Sequence, residues 1–123
     1  MKIVSKIARY LLGLIFLTFG LNGFLHFIPM PPPTGVAAQF LGAIFVSRFY
    51  VVLFLLQIVP ALLLLANRYV PLAITILGAV VFNILCIHIF MAPAGLPLAL
   101  FVTILWFLAA WNVRSAFAPI LQR

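Results

Sequence analysis

His26 and His88 are the only histidines in a chain of 123 residues, and their surroundings echo each other. N-G-F-L-H-F-I-P-M-P runs from Asn22 to Pro31, and N-I-L-C-I-H-I-F-M-A-P runs from Asn83 to Pro93. Each reads asparagine, histidine, a few apolar residues, proline. An imidazole can donate or accept a hydrogen bond and can carry a proton. Beside amides from Asn22, Asn83 and Gln57, a pair of imidazoles fits the polar head of a flat small molecule. A quinone is the favoured class, because its carbonyls accept such bonds. Arg48 would guard the outer entrance.

Other chemistries are excluded by what is missing. The chain has no Asp or Glu, so it cannot build a carboxylate cage for Ca²⁺ or Mg²⁺, an acidic proton relay or a Ser-His-Asp triad. Cys86 is the single cysteine, which rules out an internal disulfide and a C-x-x-C redox pair. It lies in an apolar run and reads as a small packing residue. Two histidines alone are too few ligands for a metal site. A haem held between them is disfavoured, since both fall near the surface. No catalytic constellation is self-contained, and the most the chain supplies is a subunit of a membrane oxidoreductase.

The elements that must position these residues follow from composition. Apolar residues make up 68% of the chain, and seven Lys and Arg give a net charge of +7. A soluble surface needs mixed charge, so this surface must face lipid. The basic residues sit at segment ends and form no stripe, which argues against nucleic acid and suits membrane topology. Crossing the hydrocarbon takes about 20 apolar residues in a helix. Four stretches qualify, at about 7–28, 49–66, 70–91 and 97–117. The sequence therefore predicts one all-α domain over 1–123, an integral membrane four-helix bundle. The first run is too long for the apolar region of a signal peptide and reads as a retained span.

Lys2, Lys6, Arg9, Arg68, Arg114 and Arg123 fall on one side of these spans, and Arg48 alone on the other. The positive-inside rule then places both termini on the cytoplasmic side, in a multi-pass arrangement. The first connection is long and begins P-M-P-P-P, which is stiff and extended. Val36 to Val46 is apolar enough for a short helix lying on the outer surface or re-entering it.

On this topology the polar residues share a depth. Thr18, Asn22 and His26 are four apart and form one helical stripe. Thr75 and Asn83 share a face, with His88 about 140° round from Asn83. At 1.5 Å per residue, Asn22 falls roughly 9 Å below the outer end of its span, and Asn83 and Gln57 roughly 12 Å. Both histidines fall about 3–5 Å down. Three amides thus make one layer, with two histidines above them, and the inner half has little comparable polarity. Packing is the competing explanation: such residues hydrogen-bond across helices at about 0.6 kcal/mol each, with Gly13, Gly20, Gly23 and Gly78 allowing close approach. The matching span–loop–span halves hint at an internal repeat.

Three stretches together resemble the DoxX-like family of small bacterial membrane proteins. These are R-Y-L-L-G-L-I-F-L-T-F-G-L-N-G-F-L-H-F, then S-R-F-Y-V-V-L-F-L-L-Q-I-V-P-A-L-L-L-L-A-N-R-Y-V-P-L-A, then N-I-L-C-I-H-I-F-M-A-P. Asn22, His26, Gln57, Asn83 and His88 occupy the motif positions. Pro60-Ala61 stands where relatives often carry glycines. The resemblance implies a four-helix inner-membrane protein associated with thiosulfate:quinone or thiol redox systems. Expected partners are membrane lipid, redox-complex subunits and further copies of the chain. Two other classes fit the same residues: a non-catalytic assembly subunit, and a neutral-solute transporter or exporter, which would need a polar path continuing inward.

Overall fold

A computed structural model describes residues 2–122. Among them there is no strand, and five α-helices follow in order: α1 Lys2–Leu25, α2 Gly35–Val46, α3 Phe49–Ala66, α4 Val70–Phe90 and α5 Leu96–Trp111. Short 3₁₀ turns occupy Pro93–Gly95, Arg114–Ala116 and Ala118–Leu121. Four segments are long and apolar enough to cross a membrane: α1, α3, α4, and α5 with the turn before it. This is the architecture of a multi-pass membrane protein. Large apolar side chains such as Leu14, Leu55, Leu72, Phe82 and Phe107 stand exposed on the outward faces, as contact with lipid requires.

Each helix stops for a local reason. His26 takes a left-handed backbone, φ +51, and ends α1 three residues before the expected 28. Asn67 at φ +55 and Tyr69 at φ +52 bracket Arg68, folding α4 back against α3 within three residues. Pro71 and Pro97 sit in first turns, where a missing N–H costs nothing. The fourth span was expected to reach 117, but α5 ends at Trp111. There Arg114 Nη1 donates to the Trp111 carbonyl at 2.7 Å and its guanidinium lies 4.4 Å from the Trp111 ring centroid. A cation satisfying a terminal carbonyl is a stop signal.

The helices form a ring. α1 packs on α3 and α5, and α4 packs on α3 and α5, so α1 and α4 stand across a diagonal. Leu12, Ala61, Leu64, Ala73 and Leu77 fill the centre with no exposed surface. Without a hydrophobic drive in lipid, close approach must hold the ring together. Along α1 it does: a Cβ on Gly13 would lie 3.2 Å from the Ala61 carbonyl, and one on Gly20 would lie 2.7 Å from Ile58 Cγ1. On the far side Gly78 makes room for the Trp106 indole, whose Nε1 donates to the Ile74 carbonyl at 2.9 Å. The start of α1, the 67–69 turn and the end of α5 meet at one end of the ring. That end carries Lys2, Lys6, Arg9, Arg68 and Arg114. The end of α1, α2, the start of α3 and the end of α4 lie at the other, with Arg48 and both histidines.

Candidate functional site

At the histidine end, Asn22 organises the exit from α1. It is 8% exposed, and its Oδ1 accepts the Ile28 N–H at 2.7 Å. Its carbonyl accepts the His26 N–H at 2.9 Å. These two bonds span the break in the helix and hold His26 left-handed, with the imidazole exposed.

That imidazole stands beside an aromatic cluster drawn from three helices. The His26 ring centroid lies 6.3 Å from that of Phe45, at the end of α2. Phe45 stacks on Tyr50 of α3 at 4.9 Å and 22°. Phe24 of α1 lies 5.9 Å from Tyr50 and 6.0 Å from Phe54. Gly23 admits this arrangement, because a Cβ there would collide with the Phe54 ring. Arg48 sits in the turn joining α2 to α3 at φ +66, with its side chain exposed. Gln57, one turn below Phe54, is half-buried and packs its Cβ toward Gly20. The structure thus places His26 at an aromatic wall, with Asn22 bonded across the adjoining helix end, Arg48 in the turn before Tyr50 and Gln57 one turn below Phe54.

Asn83 and His88 are placed elsewhere. Both are on α4, across the diagonal from α1. Asn83 is exposed and donates from Nδ2 to the Ala79 carbonyl of its own helix at 2.9 Å. His88 is half-buried; its Nδ1 lies 2.7 Å from the Ile84 carbonyl, and its ring packs against Gly95 where no Cβ would fit. The expected single layer of three amides is therefore not formed. Among the described residues no side-chain hydrogen bond joins Asn22, Gln57 and Asn83. The reason is partly spacing. Histidine follows asparagine by four residues in α1, past the helix end, but by five in α4, still inside the helix. The same correction applies to depth: with α1 ending at Leu25, Asn22 lies in its last turn.

A second polar site lies at the opposite end, where the sequence suggested little polarity. A cavity of about 270 Å³ is lined by Ser5, Lys6, Arg9, Asn67, Asn112 and their apolar neighbours. Arg9 donates to Asn67 Oδ1, and its guanidinium lies 4.6 Å from the Tyr10 ring centroid. Ser5 Oγ and Arg9 Nε are buried there without a hydrogen-bond partner among the described residues. A sequence signal existed. Lys2, Ser5, Lys6 and Arg9 share one helical face, a pattern that a count of cations per side does not register.

Compared with protein-family models, with curated proteins and with solved structures, the chain matches none. The functional reading therefore rests on this chain's own residues.

Proposed function

We propose that the chain is a DoxX-like protein of a bacterial inner membrane, with both termini cytoplasmic, that binds a quinone-class molecule at its histidine end and supports a membrane redox system. The observation that carries this is His26, held in a left-handed backbone by Asn22 and presented at the edge of the Phe45–Tyr50 stack. A non-glycine residue in that conformation costs about 1–2 kcal/mol. Such strain persists where the surrounding structure over-determines it, and it concentrates at binding sites. A flat ring offered to Phe45 and Tyr50 finds stacking partners, and the imidazole provides a donor for its carbonyl. Asn22 positions the histidine, Gln57 lies beneath the wall, and Arg48 flanks the approach. The five-to-one division of cations between the two ends, among the described residues, supports the orientation.

The test is purification in mild detergent, with an absorption spectrum for haem and mass spectrometry of the lipid extract for quinone. Stoichiometric quinone is expected in the wild type and in His88→Ala, and its loss in His26→Gly, which retains the backbone turn. A colourless protein without enriched quinone would sink the proposal.

A second reading, a non-catalytic assembly subunit, is favoured by Asn83. This amide stands exposed on the outward face of α4, two turns from the equally exposed Thr75. A polar group on a lipid-facing surface is costly, and a partner helix relieves that cost.

A further inference from the structure

The charged end presents a problem of electrostatics that the chain does not solve by itself. Arg9 is half-buried where α1, α3 and α5 converge, and Lys6, itself exposed, lines the mouth of the same cavity. No Asp or Glu exists anywhere in the sequence to neutralise either. Arg9 gives one N–H to the neutral Asn67 amide, while its Nε–H points to no acceptor among the described residues. Ser5, only 1% exposed, lines the cavity with a hydroxyl that has no partner among the described residues. Unpaired buried donors each cost roughly 1–3 kcal/mol, and more when charged. Water filling the cavity would satisfy the donors but leave the charge unbalanced. An anion does both.

We propose that this cavity binds a phosphate group. Its donors are a guanidinium N–H, an ammonium, a hydroxyl and the Asn112 amide, all suited to a multi-oxygen anion. Its volume of about 270 Å³ equals roughly nine waters at 30 Å³ each, far more than a halide needs. A second hollow shares Lys6, Arg9, Asn67 and Asn112 and continues outward past Lys2, Ile3 and Tyr10. Ile3 is exposed there and gives an apolar flank beside the cations. The phosphate can arrive free or as the headgroup of an anionic lipid, and the apolar flank suits the glycerol and upper acyl carbons of the latter. This site is separate from the histidine end and does not depend on the quinone proposal.

The experiment measures binding to the detergent-purified chain by thermal shift and native mass spectrometry. The probes are phosphatidylglycerol, zwitterionic phosphatidylcholine and inorganic phosphate, each titrated into wild type, Lys6→Gln and Ser5→Ala. Both substitutions are small and leave the Arg9–Asn67 bond in place. A saturable shift with phosphatidylglycerol but not phosphatidylcholine, weakened about tenfold in Lys6→Gln and severalfold in Ser5→Ala, establishes the site with lipid as its source. The same weakening seen with inorganic phosphate establishes it with the free anion as source. Equal binding by wild type and both variants overturns the proposal, as does a shift with neither phosphatidylglycerol nor inorganic phosphate.

Discussion

Asn22 reaches past the end of its own helix to take the N–H of Ile28, 2.7 Å away, and His26 lies between the two. A buried amide thus fixes the one turn that carries the exposed imidazole. Asn22→Ala removes the acceptor and strands the Ile28 N–H. The expected cost is about 1–3 kcal/mol, read as a lower unfolding temperature in detergent. Asn22→Asp keeps an acceptor in place and should recover much of the loss. No loss of stability in Asn22→Ala would mean that the bond is unimportant.

His26 itself is predicted to trade stability for binding. Glycine adopts φ +51 without steric cost, so His26→Gly should stabilise the fold by roughly 1 kcal/mol. The same change should abolish quinone retention. Higher thermal stability with retained ligand would separate the strain from the site and remove the main support for a functional His26.

Much of the architecture was legible in composition alone, and the reasons are physical. Spans two and three follow from apolar runs bounded by Arg48, Asn67 and Pro71, whose backbone demands are local. The ends of α1 and α5 were not legible, because they depend on side chains reaching across turns. Asn22 caps forward to Ile28 and Arg114 caps back to Trp111. The amide layer failed for a different reason. Depth along a helix can be counted from sequence, but which face of the bundle a residue takes depends on the order of helices round the ring. That order puts α4 diagonal to α1. The charged-end cavity was missed because Asn67 and Asn112 join Arg9 only after α3 and α5 return to it.

Gly23 sits under the aromatic cluster, and Gly23→Ala would drive a methyl group into the Phe54 ring. The ring must move, which disturbs its packing with Phe24 and Phe45. Overpacking of this kind costs about 1–3 kcal/mol. Stability should fall, and quinone retention should fall with it although no proposed polar contact is touched. Unchanged retention would show that the aromatic wall is not part of the site.

On the opposite face, Trp106 and Gly78 act as a pair. Removing the side chain at 78 uncovers the Ile74 carbonyl one turn earlier, and the indole Nε1 bonds to it at 2.9 Å. Trp106→Phe should cost about 0.6 kcal/mol, the average for an interhelical hydrogen bond in a membrane, with some added loss of packing. Gly78→Ala places a methyl group 3.1 Å from the indole Cζ2 and should also shift the tryptophan emission. Because both changes break one contact, the double variant should lose less than the sum of the singles. Strict additivity would refute the coupling.

Asn83 decides between a free-standing bundle and an assembly subunit. Its Nδ2 bonds within its own helix, to Ala79, and its exposed amide carries further hydrogen-bonding capacity outward beside Thr75. Against lipid alone, Asn83→Leu should raise stability, since it removes a polar group from an apolar surface. Against a partner helix, the same change should dissociate a complex that wild-type protein forms. Analytical ultracentrifugation in detergent and crosslinking through Cys86, half-buried one turn from Asn83, read the two cases apart. The assembly reading predicts a Cys86-linked dimer that Asn83→Leu abolishes while Asn22→Ala leaves it intact. A monomer in both, more stable after Asn83→Leu, would instead leave α4 facing lipid and remove the observation that favours the assembly reading.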